Sequence, residues 1–159
     1  MNPIRVEFIR SHLAVENSTQ DLFEAQQLKN LSILDVGCGG GLLAESLARL
    51  GANVTAIDPS EQNIQVASNH SKTDRLTANI NYKVTTVDEL CKSDEKFDAV
   101  CSLEVIEHVD NPAMFLRACS GCVKPGGSLF ISTLNRSNKA YLVAILGAEH
   151  LLRIVPKGS

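Results

Sequence analysis

Positive charge is not in excess in this chain: fifteen lysines and arginines against eighteen aspartates and glutamates leave a net charge of −3. No overall basic field therefore draws it to nucleic acid. A long apolar run is also missing. Residues 140–148 form the longest one, and Glu149 and His150 close it before it can span a bilayer. Any membrane contact is expected at the surface. Met1 to Leu13 has neither the charged, apolar and cleavage regions of a secretory leader nor the Arg- and Ser-rich, acid-poor composition of a transit peptide. Internal repeats, low-complexity tracts and signs of a second domain are absent from the 159 residues, so one domain with one core is expected.

The cysteines lack the even count of a disulfide framework. There are five, Cys38, Cys91, Cys101, Cys119 and Cys122, mostly inside apolar runs where a small buried thiol fits, a pattern that reads as a reducing compartment. Cys119-Ser120-Gly121-Cys122 is a C-x-x-C with no second pair at zinc-site spacing. With Phe115 and Ala118 it continues a helical apolar stripe and reads as core. Charge is uneven along the chain: four cations (Arg136, Lys139, Arg153, Lys157) against Glu149 make residues 136–157 +3, which leaves −6 for the rest.

What is present is an alternation of periods. Ile4, Phe8, Ile9 and Leu13 predict an opening helix, and residues 16–30 follow as a polar loop. A strand at 32–36 leads into a glycine cluster, a helix carries Leu43, Leu47 and Leu50, and a second strand at 53–57 ends on Asp58. Ser60 is an N-cap for a helix with Ile64 and Ala67, and a third strand is expected at 81–85. The apolar run 97–103 reads as a strand buried on both faces, and Asn111-Pro112 as a cap and first turn of a helix reaching about 123. Lys124-Pro125-Gly126-Gly127 predicts a turn, 128–134 a fifth strand, and 139–154 a last helix. Strands alternating with helices imply an α/β fold with a doubly wound, mostly parallel sheet. Its ligand belongs at the carboxyl ends of the strands, near the switch in strand order.

The glycine run Ile33-Leu34-Asp35-Val36-Gly37-Cys38-Gly39-Gly40-Gly41 stands between strand and helix. A dinucleotide loop would read G-x-G-x-x-G, but the sixth position counted from Gly37 is Leu42. The spacing is G-x-G-x-G. It resembles the signature of S-adenosylmethionine-dependent methyltransferases, whose ligand has no pyrophosphate to cradle. Asp58 would then accept from the ribose hydroxyls. Glycines alone are equally what a tight turn requires. Asp88, after the third strand, either faces the adenine or is a solvated loop carboxylate.

After the fourth strand comes Leu103-Glu104-Val105-Ile106-Glu107-His108. In a helical turn, Glu104, Glu107 and His108 share a face and can hold a divalent cation, Mg by its oxygens or Zn by the imidazole. A bound cation would lower the pKa of a hydroxyl acceptor. His108, if not a ligand, is a candidate general base. The alternative is a solvated acidic turn.

Met1-Asn2-Pro3-Ile4-Arg5, the glycine loop, Glu104-Val105-Ile106-Glu107-His108-Val109 and Val123-Lys124-Pro125-Gly126-Gly127 together resemble the ubiquinone-biosynthesis O-methyltransferases. So do Ser132-Thr133-Leu134-Asn135-Arg136 and the stretch from Gly147-Ala148-Glu149 through Val155-Pro156-Lys157-Gly158. The resemblance implies a Rossmann-like methyltransferase fold that binds S-adenosylmethionine through Arg5, Gly37, Gly39, Asp58 and Leu103. It implies a divalent cation, usually Mg, at Glu104, Glu107 and His108, with His108 also the catalytic candidate. It further implies a polyprenylated catechol substrate, methylated on oxygen, and contact with membrane lipid and other proteins of ubiquinone biosynthesis. The place would be the matrix side of the mitochondrial inner membrane in a eukaryote, or the cytoplasm in a bacterium. Residues 139–157, apolar with flanking Lys139, Arg153 and Lys157, read either as a membrane-interface helix or as a core helix.

The family continues past Pro156-Lys157-Gly158 with further strands, so the chain is expected to be truncated at both ends and 128–134 to be an uncovered apolar edge. Two other functions stay open: methylation of another small molecule, and a non-catalytic fragment that keeps a lipid- or partner-binding surface.

Overall fold

The computed structural model describes residues 3–16, 26–134 and 139–145. In chain order the elements are α1 (Pro3–Glu16), β1 (Ser32–Val36), α2 (Leu42–Arg49), β2 (Asn53–Asp58), α3 (Glu61–Ser71), β3 (Asn81–Val84), α4 (Val87–Cys91), β4 (Phe97–Leu103), α5 (Pro112–Gly121), β5 (Val123–Leu134) and β6 (Lys139–Ile145). The strands form one sheet in the order β3-β2-β1-β4-β5-β6. The first five are parallel and β6 runs antiparallel to β5. The chain winds outward from β1 to β3 and returns on the other side of β1 with β4. The crevice between the carboxyl ends of β1 and β4 is therefore the switch point.

Side chains alternate across the sheet because successive Cβ atoms point to opposite faces. On one face Ile33, Val54, Ala56, Ala99, Cys101 and Phe130 pack with Ile9 and Leu13 of α1 and Leu43, Ala44 and Leu47 of α2. On the other, Leu34, Val36, Ile57, Val100 and Ile131 pack with Val87 and Leu90 of α4 and Phe115, Ala118 and Cys119 of α5. Each large side chain so buried contributes about 1.5–3 kcal/mol. The stripe of α1 differs from the expected one: Ile9 and Leu13 are buried, whereas Ile4 is 68% and Phe8 41% exposed. Phe8 and His12 instead meet the ring of Phe130 edge-on.

Local signals place the helix starts. Ser60 accepts from the Asn63 amide and Asn111 from the Met114 amide, with Pro112 in the first turn. Thr86 caps α4 in the same way, a five-residue helix the hydrophobic pattern is too short to announce. Residues 124–127 do not separate two elements. They form an irregularity inside β5, where pairing jumps from Phe97 opposite Val123 to Ala99 opposite Ser128.

Two expectations at the end of the chain are corrected. Residues 139–145 are a strand and not the start of a helix, and β5 is not an uncovered edge, because β6 pairs along it from Lys139 opposite Leu134 to Ile145 opposite Ser128. A short apolar run does not by its period tell a buried strand from a helix, and the unpaired backbone groups of β5 favour the strand. The remainder of the proposed interface helix, 146–157, lies outside the described residues.

At the opposite edge from the switch point, a polar knot joins three strands. Asp98 accepts from the Ser32 amide at 2.8 Å and hydroxyl at 2.7 Å, and from Lys124 Nζ at 2.8 Å. Burial alone would raise the Asp98 carboxyl, but Lys124 and Ser32 outweigh it and hold the group below its ordinary value. Such a carboxylate adds stability above the unfolded value of about 4, and that contribution is lost as pH falls through the lower folded value. Lys124→Gln is expected to cost up to about 1 kcal/mol at neutral pH. In urea titrations at a series of pH values, the difference from the parent chain should vanish on acidification below about pH 4.

Candidate functional site

The loop after β1 is held by the end of β2. Ile57 O accepts from the amides of Gly37 and Cys38 at 2.9 and 3.0 Å, and Asp58 Oδ2 accepts from the Gly39 amide at 3.0 Å. Gly37 has φ +72° and no room for a side chain: a Cβ there would stand 2.5 Å from Cγ2 of Val105. Gly39, at φ +51°, is the reverse case: beyond its chain neighbours no atom of the described residues lies within 4 Å of where its Cβ would be, and Gly40 is equally open. One glycine lets two loops touch, and the next pair clears backbone for a ligand.

Two buried carboxylates flank that opening. Asp58 is 7% exposed and takes further hydrogen bonds from the Ser60 amide at 2.9 Å and Asn63 Nδ2 at 3.1 Å. With about four acceptor positions on a carboxylate, one remains for a ligand hydroxyl. Asp35 is 3% exposed, and its Oδ2 has no hydrogen-bond partner among the described residues. Burial pushes its carboxyl up, a hydrogen bond from the Ala44 amide opposes this, and the charge of Asp58 adds to it, for a value of about 7. Beside the loop, Val36, Ile57, Pro59, Val87 and Phe115 wall a cavity of about 150 Å³, and Asp88 lines it as well.

Across the crevice β4 ends at the half-buried Leu103. The expected helical turn is present only in part. Glu104 has φ +61°, and the 3-10 turn that follows spans Ile106–His108. The Glu104 amide remains in the sheet ladder, donating to Ser132 O at 3.0 Å, so the chain must reverse at this residue. A left-handed residue with a side chain costs roughly 1–2 kcal/mol. The reversal lays Val105 on Gly37. Glu104 then pairs with Arg5 of α1, whereas Glu107 and His108 are exposed on the turn. Among the described residues no three His, Cys, Asp or Glu side chains gather into a cation site. Arg5, Glu104, Leu103, Gly37, Gly39 and Asp58 thus all lie along the carboxyl edge of β1, β2 and β4.

A family model described as a methyltransferase domain matches residues 34–131, from β1 to β5. The chain belongs to that family. It is 47% identical to the ubiquinone biosynthesis O-methyltransferase of Methylocella silvestris, over all of this chain and 63% of the relative. It is 46% identical to the mitochondrial ubiquinone biosynthesis O-methyltransferase of Arabidopsis thaliana, over all of this chain and 49% of the relative. The chain therefore spans about half to five-eighths of the length of these relatives. In fold it is similar to the magnesium protoporphyrin IX methyltransferase of Synechocystis, solved with bound SAM, at a TM-score of 0.64, 19% identity, and coverage of 86% of this chain and 61% of that one.

In this methyltransferase domain the cysteines are packing groups. Burial pushes Cys38 and Cys119 up to about 12 and Cys122 to about 11, and it raises Cys101 well above the ordinary thiol value. As protonated thiols they are poor nucleophiles. Sequence reasoning missed Asn63, whose one signal is its place in the first turn of α3, five residues after Asp58. It also missed the Arg5–Glu104 pair, which has no local signal.

Asp35 makes the loop sensitive to pH. Its folded value of about 7 stands above the unfolded value of about 4, so stability falls as pH rises from 4 to 7 and the full penalty applies above 7. Asp35→Asn should flatten this profile and raise the cofactor-free stability at pH 8 by about 1–3 kcal/mol. Thermal unfolding between pH 5 and 8 measures it; a parent chain whose stability does not fall over that window rules out the effect.

Proposed function

We propose that this domain transfers the methyl group of S-adenosylmethionine to a catechol oxygen of a polyprenylated ubiquinone precursor. The observation that carries the reading is the open Gly39–Gly40 backbone between the carboxylates of Asp35 and Asp58 at the switch point. A ligand suited to it needs hydroxyls for Asp58, positive charge toward Asp35 and a flat, largely apolar ring for the adjoining cavity. S-adenosylmethionine has all three in its ribose, its ammonium and sulfonium groups, and its adenine. The names of the relatives support the acceptor.

When bound, the cofactor supplies an electrophilic methyl carbon on a sulfonium sulfur that leaves as a neutral thioether. The chain's part is to bind, aim and move one proton. Asp58 would accept from a ribose hydroxyl, the Gly39 and Gly40 backbone would admit the ligand, and Leu103, at the end of β4, would help to hold it. Arg5 would hold the methionine carboxylate, and Asp88, which lines the cavity, would accept from an exocyclic amine of the ring. His108, on the exposed turn at the mouth, takes the proton of the acceptor hydroxyl as the new carbon–oxygen bond forms. The divalent cation of the resemblance, Mg or Zn, would need Glu104 to leave Arg5 and join Glu107 and His108. As they stand the three do not fit it.

A lipid-soluble acceptor places the protein at a membrane surface, on the mitochondrial matrix side or in a bacterial cytoplasm, beside other proteins of the same biosynthesis. None of the described helices is long and apolar enough to cross a membrane.

The test is calorimetric binding of S-adenosylhomocysteine to the full-length protein, followed by turnover on a panel of catechols with and without a prenyl chain. Asp58→Ala should weaken binding about 10- to 100-fold, as expected for loss of hydrogen bonds to a charged group. Prenylated catechols should turn over fastest. Unaltered binding in Asp58→Ala sinks the cofactor site, and turnover confined to other acceptors sinks the substrate.

A further inference from the structure

The ion pair between Arg5 and Glu104 joins residues 99 positions apart and spans from α1 to the carboxyl end of β4. Both side chains are shielded, at 16% and 32% exposure. Glu104 reaches Arg5 from a left-handed backbone, a conformation a side-chain-bearing residue adopts only when its surroundings demand it. The pair is also incomplete. Among the described residues the buried Arg5 Nε has no hydrogen-bond partner, although a guanidinium offers five N–H donors in a fork that a carboxylate can meet with both oxygens. Glu104 thus holds the arginine without satisfying it.

We propose that Glu104 is an internal stand-in for the cofactor's carboxylate: it pairs with Arg5 and gives it up when the cofactor enters. The inference rests on the cofactor site proposed above. Arg5 is one charge between two candidate carboxylates, and holding both would set like charges side by side at a partly buried site. An incoming carboxylate therefore displaces Glu104. The released side chain stands at the end of β4, next to the turn that carries Glu107 and His108. The acceptor side of the site gains its carboxylate only once the cofactor is seated. Cofactor first and acceptor second follows as the binding order, and Glu104 acts as a positioning residue through Arg5.

The experiment is calorimetry on the full-length protein with two probes: S-adenosylhomocysteine, and 5′-methylthioadenosine, which lacks the amino-acid portion. Glu104→Gln removes the competitor, so it should bind S-adenosylhomocysteine about 2- to 5-fold more tightly, the range for a partly exposed ion pair. Its affinity for methylthioadenosine should not change. In an Arg5→Gln background, Glu104→Gln should have no effect on either probe. Equal or weaker S-adenosylhomocysteine binding by a folded Glu104→Gln protein overturns the exchange, as does an equal change for both probes. Should Glu104→Gln not fold, Glu104→Asp, whose shorter side chain reaches Arg5 less well, must show the same preference for the carboxylate-bearing probe or the proposal fails. Asp58→Ala separates the two readings: if it binds both probes like the parent, the cofactor site itself is wrong, whereas lost binding there with no tightening in Glu104→Gln removes only the exchange.

Discussion

Three amides of the loop after β1 donate to the end of β2, two to the Ile57 carbonyl and one to the Asp58 carboxylate. Through them the loop is tied to the sheet by two backbone hydrogen bonds and one to a side chain, which fix its left-handed glycines in place. Asp58 can serve in this way because Ser60 and Asn63 fix its other oxygen, and Ser60 is at the same time the cap of α3. The end of one strand, the start of one helix and the shape of the ligand loop are a single hydrogen-bonded unit. A polar change at Asp58 reaches all three.

The charges around that unit are poorly matched by their protein neighbours. Asp35 is buried with an oxygen unsatisfied, Asp58 lies close enough to raise it, and Arg5 is turned to Glu104 across the crevice. Buried polar groups are nearly always satisfied in folded proteins, so each exception calls for a cause. A zwitterion with an added positive centre would answer each in turn: its cations face Asp35, its carboxylate takes Arg5, and Glu104 is released.

Stability is kept away from this edge. The knot of Ser32, Asp98 and Lys124 ties β1, β4 and β5 at their amino ends, and the apolar layers on both faces include all five cysteines, either buried or packed against them as small core residues. With the far edge braced, the carboxyl edge can hold positive φ, an incompletely satisfied arginine and an unsatisfied carboxylate.

By itself the sequence determined whatever depends on near neighbours. The period of apolar residues set the alternation of strands and helices, Ser60 and Asn111 announced their caps three residues ahead, and the spacing of Gly37, Gly39 and Gly41 with Asp58 after the next strand marked the ligand edge. Only the tertiary structure decided what depends on distant partners. Residues 139–145 became a strand because β5 presented unpaired backbone, which no property of the run itself reveals. Glu104 left the helical turn its spacing suggested because its amide stayed paired with Ser132 and its side chain met Arg5 from the other end of the chain. Hydrogen bonds and burial act between groups that folding brings together, so the types of residue in a site can be read from the chain, but which of them hold one another cannot.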